Sequence, residues 1–431
     1  NPPKIRYISE GFIKPQYAIE DSKRPLYLTP WDLIILSSKY IQKGLLFTKP
    51  PAANAQEDFI KTLLDRLKHS LSVTLVHFYP LAGRLVTQKN ENPPSSLIFV
   101  DCGNGPGAKF SHASLNMTVS DILSPIDVPS VVQSFFDNNM AVNYDGHTMS
   151  LLSIQVTELK DGIFIGCSMN HSIGDGTSFW HFFNTWSEIF GAHGNNISIG
   201  NNISITRPPI HKRWFPDGVK PIINLPFTHQ DEFISRFEAP KLRARMLNFS
   251  SKSIAKLKAK ANAESNTNKI SSFQCFSALV WRCVTRVRRL PCDQITNCNL
   301  AANNRSRMEP SLSNDYFENS LHALRGVPTA GELLEHNLGW AAWKLHEAVA
   351  NHTDQVVRDW VDTWLQSPNV YQLTKPFNKN NVMMGSSPRF NMYGNEFGMG
   401  KAVALRSGYA DKSNRKVSSY PGYEGGGSID L

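Results

Sequence analysis

GIFIGCSMNHSIGDGTSFWHFFNTWSEIF, residues 162–190, is the stretch of this 431-residue chain that decides its fold. It opens at an Asp161-Gly162 dipeptide, which is typical of a tight turn between antiparallel strands, and continues as a mostly apolar run to Asn170. Beyond a glycine-containing turn, apolar side chains recur on one helical face, namely Phe179, Phe182, Phe183, Trp186, Ile189 and Phe190. The sequence therefore predicts a strand, a glycine-containing turn and a buried helix.

Strands and helices are predicted on both sides of this stretch. Residues 151–159 alternate between apolar and polar side chains and predict the strand before the turn, and residues 57–70 have the spacing of an amphipathic helix. In the second half, helices are predicted over residues 251–263, 270–290 and most of 331–366. The inward face predicted for the second of these helices consists of Phe273, Phe276, Leu279, Val280 and Cys283. Mixed elements without strict alternation indicate an α/β or α+β fold with two halves of similar size.

The length of the chain fits two domains of about 200 residues each. Residues 191–230 are rich in Asn, Gly, Pro and Ser and hold few periodic apolar residues, so they are the predicted linker. This assigns residues 1–190 to an N-terminal domain and residues 231–431 to a C-terminal domain. A segment near residues 360–400 is a candidate for packing against the N-terminal domain.

The cysteines and the first residues of the sequence predict a cytoplasmic protein. None of the six cysteines forms a C-x-x-C pair, and their low density indicates reduced thiols. The first residues lack the apolar core of a signal peptide, and no run of about 18 apolar residues predicts a transmembrane helix. In a secreted protein a glycan at the Asn170-His171-Ser172 sequon would block His171, which also favours the cytoplasm.

The net charge of +9 and the pI near 9.1 are compatible with binding of an anionic partner. The 45 lysines and arginines are spread thinly and no nucleic-acid module is recognisable, so we expect no nucleic-acid partner. A polyanionic cofactor is the more economical explanation, and a surface excess without function is the alternative. The histidines show no metal-ligand spacing, and no metal is expected.

His171 is the candidate catalytic residue in the segment MNHSIGDG (169–176). A strand end holds the backbone while the turn exposes the ring, and an imidazole with the ordinary pKa of about 6.5 accepts a proton at neutral pH. A histidine near an aspartate more often has a structural role, so the spacing alone leaves both interpretations open.

Five segments, in this order along the chain, resemble motifs of the plant BAHD acyltransferase family. The segment YPLAGR (79–84) matches one of them, and His171 and Asp175 then occupy the two named places of the H-x-x-x-D-G motif. SSFQCFSALVWRCVTRVRR (271–289) is similar to the family's long helix with a Trp-Arg pair. ANNRSR (302–307) resembles V-D-x-R-x-R, with Asn303 in the acidic place, and NEFGMGK (395–401) stands where the family has D-F-G-W-G-K.

The resemblance implies an α/β fold of two chloramphenicol-acetyltransferase-like domains, each a mixed sheet with helices, with a channel between them. It implies a monomer that takes acyl-CoA from one side and a hydroxyl or amine of a plant specialised metabolite from the other, with no membrane partner. His171 would act as the general base in a direct transfer through a tetrahedral intermediate. A small acyl group, and hence acetyl-CoA, is mildly favoured.

The resemblance also implies roles for other residues. Asp175 would pair with Arg305 and hold the loop without orienting His171, while Gly174 and Gly176 let the turn close. CoA contacts are expected at Ser250, Lys252, Lys256, Ser271 and Ser272. The alternative is that these lysines form a helix face that contacts only solvent. The variant second motif would support the fold and the shape of the channel, and it comprises Glu396, Phe397, Gly398, Met399 and Gly400.

Two alternative functions remain open at this point. The same fold and base could catalyse an intramolecular acyl transfer, a hydrolysis or an elimination without CoA. The chain could also be a binding protein that has kept the channel as a ligand pocket. The intact His171 and Asp175 favour an enzyme over a binding protein, because a scaffold needs no base in a channel.

Overall fold

The computed structural model describes residues 4–51, 58–193, 204–236, 238, 241–372, 380–385, 387–409 and 416–431. Its helices are α1 (Pro30–Leu33), α2 (Phe59–His77), α3 (Val119–Leu123), α4 (Gly176–His193), α5 (Ser251–Glu264), α6 (Ser272–Arg288), α7 (Ala330–Glu335), α8 (Leu338–Ala350) and α9 (Asp354–Gln366). Within these ranges, no helix has the length and apolar content that a membrane span needs.

The strands are mostly short and fall into several sheets. They are β1 (Arg6–Ile13), β2 (Leu26–Tyr27), β3 (Ile41–Thr48), β4 (Arg84–Glu91), β5 (Pro94–Asp101), β6 (Ala108–Ser114), β7 (Leu152–Glu158), β8 (Gly162–Met169), β9 (Asn224–Leu225), β10 (Asn248–Phe249), β11 (Asn297–Asn303), β12 (Leu321–Gly326), β13 (Asn381–Gly385), β14 (Ala404–Ser407), β15 (Lys416–Ser418), β16 (Tyr420–Pro421) and β17 (Ile429–Asp430).

A six-stranded sheet in the order β1-β6-β7-β8-β3-β14 forms the centre of the N-terminal half. β7 and β8 are antiparallel neighbours, with Leu152 opposite Met169, and the predicted Asp161-Gly162 turn joins them. Every residue of β8 is buried, because apolar clusters cover both faces of the sheet. This burial explains the nearly continuous apolar run in the sequence.

The helix predicted after the turn is α4, and it packs against α2. Each of its predicted inward side chains, from Phe179 to Phe190, is at most 1% exposed. Trp186 donates its indole N–H to Ser70 Oγ on α2 at 3.0 Å. The predicted order of strand, turn and buried helix is therefore confirmed.

A four-stranded sheet in the order β12-β11-β13-β15 forms the centre of the C-terminal half. β11 is antiparallel to β12 and parallel to β13, so the sheet is mixed. Side chains of α5, α6 and α8 share one apolar cluster with β11 and β13. Mixed sheets covered by helices confirm the α/β class.

The inward face predicted for α6 is partly wrong. Phe276 is fully buried, but Cys283 is exposed. Trp281 donates its indole N–H to Thr296 Oγ1 at 3.0 Å, and this contact outside the helix turns another face inward. The buried stripe runs through Gln274, Ala278, Trp281 and Thr285.

The chain contacts the N-terminal half at the end of α9, where Trp364 and Val370 join its apolar cluster, and again from about residue 390 onward. β14 pairs antiparallel with β3, with Ala404 opposite Leu46. Met392, Phe397 and Leu405 belong to the same apolar cluster as the N-terminal strands and helices. The domain limits remain a prediction, and residues 194–203 of the predicted linker lie outside the described residues.

Phe397, in the variant second motif, inserts its ring among the aromatic side chains of α4. Its ring centroid lies 4.7 Å from that of Trp186, 5.6 Å from Phe183 and 5.5 Å from Phe190. Phe397 and Gly398 have φ angles of 46° and 74°, so two consecutive residues adopt the left-handed conformation that turns the ring inward. The motif therefore contributes to the core around α4.

Replacing Phe397 by leucine should lower the free energy of unfolding by about 2 kcal/mol, because ring–ring contacts contribute about 0.5–1.5 kcal/mol each. The change keeps most of the apolar volume and removes the three contacts with α4. Denaturant unfolding followed by tryptophan fluorescence measures the loss. Phe12→Leu is the matched control, because Phe12 is 57% exposed on β1 and its change should stay within about 0.5 kcal/mol. If the free energy of unfolding fell equally in the two variants, the ring contacts of Phe397 would not stabilise the fold as expected.

Candidate active site

His171 lies just beyond the end of β8 in a tight turn, and it is half-buried, whereas residues 172–175 are buried. Its backbone N–H donates to Asn143 Oδ1 at 2.7 Å, and Asn143 begins a 3₁₀ turn, Asn143–His147. Asn170 donates its side-chain amide to the carbonyl oxygen of Asn143 at 2.7 Å. Two buried asparagines therefore hold the backbone of the turn while His171 stays partly accessible.

The side-chain amide of Asn319, from the C-terminal half, orients the ring of His171. Its Nδ2 donates to the His171 carbonyl oxygen at 2.7 Å and to Asp32 Oδ1 at 2.8 Å. A carbonyl oxygen and a carboxylate accept hydrogen bonds, so the amide oxygen of Asn319 must face the imidazole, where it lies 3.2 Å from Nδ1. This arrangement fits the tautomer with the proton on Nδ1, in which Nε2 is the acceptor nitrogen of the ring.

Asp175 is the N-cap of α4 and not a partner of the imidazole. Its Oδ1 accepts from the Ser178 backbone N–H at 3.0 Å, and its Oδ2 accepts from the Ser320 backbone N–H at 3.1 Å. Burial alone would raise the pKa of Asp175, but the charge of Arg305 and these hydrogen bonds outweigh burial and hold the pKa below its usual value. Among the described residues, none of the contacts of Asp175 involves His171.

Arg305 is completely buried and forms the predicted ion pair, with Nη1 at 2.7 Å from Asp175 Oδ2. Its Nη2 also donates to the carbonyl oxygens of Tyr316 at 3.0 Å and Glu318 at 2.7 Å. Asn303, in the acidic place of its motif, accepts from the Arg305 backbone N–H at 3.0 Å. Arg305 therefore joins the turn after His171 to the segment that carries Asn319.

The two glycines of the turn differ in how closely they are packed. A Cβ atom at Gly174 would lie 2.6 Å from the Cβ of Ser178, which is too close for any side chain. A Cβ atom at Gly176 would lie 3.3 Å from the ring of Phe390, a tight contact that needs only a small adjustment. Close packing of the turn on α4 thus requires glycine at position 174 and is less strict at 176.

The residues predicted to contact CoA lie at both ends of α5. Ser250 and Ser271 are the N-caps of α5 and α6, and each accepts a hydrogen bond at 3.2 Å from a backbone N–H of its own helix. Lys252 and Lys256 are exposed on α5, without an ion-pair partner in the described part of the chain. Ser271 and Ser272 follow the other end of α5, about 20 Å from Ser250 at 1.5 Å per residue. Among the described residues, no three His, Cys, Asp or Glu side chains are grouped to hold a metal ion.

The other members of the second motif surround the buried ring of Phe397. Glu396, Gly398 and Gly400 are exposed, and Met399 is buried in the N-terminal core. Gly398 and Gly400 have φ angles of 74° and 79°, which favour glycine. The alternation places every second residue of the motif in the core.

Sequence reasoning missed three residues that hold His171, namely Asp32, Asn143 and Asn319. A local signal existed for Asp32, because Thr29-Pro30-Trp31-Asp32 is a capping box in which the Thr29 backbone N–H donates to Asp32 Oδ2 at 2.9 Å. No local signal existed for the two asparagines. Each acts through a contact with a turn far away along the chain.

Comparison with known sequences shows close relatives over nearly the whole chain. The family model described as the Transferase family matches residues 3–431. An uncharacterized acetyltransferase of Arabidopsis thaliana is 34% identical over 429 residues, which cover 98% of this chain and 93% of that protein. The BAHD acyltransferase DCR of the same plant is 31% identical, and the match covers 99% of this chain and 88% of that protein.

Two solved structures share the fold. Vinorine synthase superposes with a TM-score of 0.72 at 20% sequence identity, and the match covers 99% of this chain and 94% of that one. TRI101 of F. graminearum, solved with coenzyme A and deoxynivalenol, superposes with a TM-score of 0.67 at 17% identity over 94% of both chains. Since the family model and both relatives span almost all of the sequence, the chain belongs to the BAHD family of acyltransferases.

Proposed function

We propose that this acyltransferase moves an acyl group, acetyl or another small group, from acyl-CoA to a hydroxyl or amine of a plant specialised metabolite. The observation that carries the proposal is the oriented, half-buried imidazole of His171. Because the Asn319 amide oxygen takes the hydrogen bond from Nδ1, Nε2 is left to act as the general base.

The proposed reaction is a direct transfer. Nε2 of His171 takes the proton of the acceptor O–H or N–H while that oxygen or nitrogen attacks the thioester carbonyl carbon. The C–S bond of the tetrahedral intermediate then breaks, and the leaving CoA thiolate takes the proton back from the imidazolium. A base positioned in this way contributes about 10²–10⁴-fold to the rate. Positioning of the two substrates supplies a further part of the rate acceleration.

Acyl-CoA is the proposed co-substrate, because α5 presents cations that lack counter-charges among the described residues. Lys252 and Lys256 lie one turn apart on the exposed face of α5, where their like charges repel each other. Phosphate oxygens bound between them would relieve this repulsion. The shared fold with TRI101, whose structure was solved with coenzyme A, supports the same co-substrate here.

Replacing both Lys252 and Lys256 by alanine should raise the Kd for CoA by about 2–30-fold, because exposed ion pairs contribute about 0.2–1 kcal/mol each. Isothermal titration calorimetry measures the change, which should shrink as salt is added. Lys258→Ala is the control, because Lys258 is also exposed on α5 but points to another side of the helix. A Kd that the double variant leaves unchanged would rule out CoA binding at this face.

A matrix of acyl-CoA donors and acceptors, read by mass spectrometry and by release of the CoA thiol, tests the proposed function. The expected result is an acylated acceptor with one thiol released per product. CoA at 100 times its Kd should also raise the free energy of unfolding by about 2.7 kcal/mol. If no acyl-CoA stabilises the protein or releases thiol, the proposal is wrong. The acceptors alone then test intramolecular acyl transfer, hydrolysis and elimination.

We also propose that the enzyme works as a cytoplasmic monomer. All six cysteines are free thiols, which favours a reducing compartment. Light scattering of the purified protein and imaging of a fluorescent fusion test the two parts separately.

A further inference from the structure

Arg213 is the cation of a buried charge cluster that lies between the two halves of the molecule. It lies in the segment 204–236 that follows α4, and its side chain is only 5% exposed. Its Nη1 is 2.5 Å from Glu318 Oε2 and 3.3 Å from Asp32 Oδ2, and both carboxyl side chains are completely buried. One guanidinium nitrogen therefore contacts an N-terminal and a C-terminal carboxyl group.

The two buried carboxyl groups lie against one cation, and their charges and burial act on one another. Burial raises the pKa of Glu318 well above its usual value, and the charge of Arg213 offsets only part of this effect. Burial also disfavours the charge on Arg213, but Asp32 and Glu318 outweigh it and raise the pKa of Arg213. Glu318 thus keeps its proton more readily than an exposed glutamate does.

Asp32 connects this cluster to the catalytic histidine. Its Oδ2 faces Arg213, and its Oδ1 accepts from Asn319 Nδ2 at 2.8 Å. The same Asn319 amide contacts both the carbonyl oxygen and the ring of His171. Arg213, Asp32, Asn319 and His171 therefore form one continuous chain of contacts.

We propose that Arg213 is a positioning residue of the active site, which holds the Asp32 side chain against Asn319 and thereby keeps the His171 proton on Nδ1. Without the guanidinium, the Asp32 side chain would lose its contact with Arg213 and could turn away from Asn319. The bond from Asn319 Nδ2 to the His171 carbonyl oxygen would then be the main contact that fixes the amide, and a rotation of the amide by half a turn would cost less. The Asn319 amide nitrogen would then donate to Nδ1 of His171. That arrangement places the ring proton on Nε2, where the base is needed. The inference rests on the proposed role of His171 as the base.

Nitrogen-15 NMR of the histidine ring, with the signal assigned by comparison with His171→Ala, tests this inference. We expect the native protein to show His171 protonated on Nδ1, and Arg213→Met to show a larger fraction protonated on Nε2. The kcat of Arg213→Met should fall by about 10–100-fold while KM stays within about threefold, because a wrong tautomer removes the base without weakening substrate binding.

A second variant keeps the test decisive if Arg213→Met does not fold. The double variant R213M/D32N removes the charge at position 32 together with Arg213, and Glu318, whose pKa is raised by burial, keeps its proton more readily. The amide at position 32 can both donate and accept. The same increase in the Nε2-protonated form is therefore expected. Arg213→Lys keeps a positive charge beside Asp32 and should retain the native tautomer.

Arg207→Met is the matched control. Arg207 lies in the same segment and also binds across to the C-terminal half, with Nη2 at 2.7 Å from Asp315 Oδ1. Arg207 and Asp315 have no contact with the chain from Arg213 to His171 among the described residues. The native tautomer and an unchanged kcat are therefore expected.

An unchanged His171 tautomer in folded Arg213→Met, or in R213M/D32N, would overturn the inference even if kcat fell. A native protein protonated on Nε2 would overturn it as well. The tautomer is read without substrate, so the two proposals can fail separately. The expected shift in a protein without acyl-transfer activity would reject the proposed function and support the role of Arg213 in orienting the ring.

Discussion

Changing His171 to alanine should lower kcat by about 10²–10⁴-fold and leave the KM for acyl-CoA within about threefold. The variant loses the nitrogen proposed to take the proton of the acceptor, whereas the lysines proposed to bind CoA on α5 stay in place. Release of the CoA thiol, measured with an acceptor from the donor–acceptor matrix, gives both constants.

Ser172→Ala is the matched control, because Ser172 follows His171 in the same turn. Its Oγ is buried and makes no hydrogen bond within the described part of the chain, so its removal should leave kcat within about twofold. Thermal unfolding of both variants shows whether the turn is intact. Similar activity of His171→Ala and the native protein would reject His171 as the base.

Changing Asp175 to asparagine should lower the free energy of unfolding by about 3–5 kcal/mol, because it leaves a buried charge without its partner. The side chain of Arg305 is completely buried, and its Nη1 is 2.7 Å from Asp175 Oδ2 in the native protein. Asparagine keeps the shape of the Asp175 side chain and can still cap α4, so the fall in the free energy of unfolding reports the missing charge. Denaturant unfolding followed by tryptophan fluorescence measures it.

Asp127→Asn is the matched control at an exposed ion pair. Asp127 Oδ1 is 2.8 Å from Arg245 Nη2, and both side chains remain accessible. The free energy of unfolding of Asp127→Asn should fall by at most about 1 kcal/mol, since solvent screens such pairs. A small loss in both variants would contradict the importance of the buried pair.

The contribution of Asp175 should also disappear in acid. Burial opposes its ionisation, but Arg305 and the hydrogen bonds at the helix N-terminus hold its pKa below the ordinary value of 3.8. A carboxyl group whose pKa is lower in the folded chain stabilises the fold above the unfolded pKa and loses this effect as pH falls through the folded pKa. Between about pH 5 and pH 2, the stability of the native protein should therefore fall more steeply than that of Asp175→Asn.

Local patterns predicted the elements whose burial can be read from neighbouring residues. The apolar run of β8 and the helical spacing of α4 report direct contact with the core, and both predictions are confirmed. The same approach misplaced Cys283 on α6, because the contact of Trp281 with Thr296 decides which face of that helix turns inward. A pattern of apolar residues does not contain that contact.

The pairing of Asp175 with Arg305 was predicted from the resemblance of two short motifs. The two residues are 130 positions apart in the sequence, and no local pattern between them would bring the two side chains together. The structure explains the pair through the segment 316–320, whose backbone accepts from Arg305 and donates to Asp175. The ion pair is therefore part of a larger contact between the two halves.

The sequence by itself determined the strand, turn and helix that present His171, because each depends on side chains within about one or two helical turns of one another. Only the tertiary structure decided what faces each nitrogen of that ring. Asp32, Arg213 and Asn319 lie in three distant segments and meet in a buried cluster, where the amide oxygen of Asn319 faces Nδ1. A hydrogen bond depends on the positions of two atoms in space, and no periodicity along the chain encodes those positions.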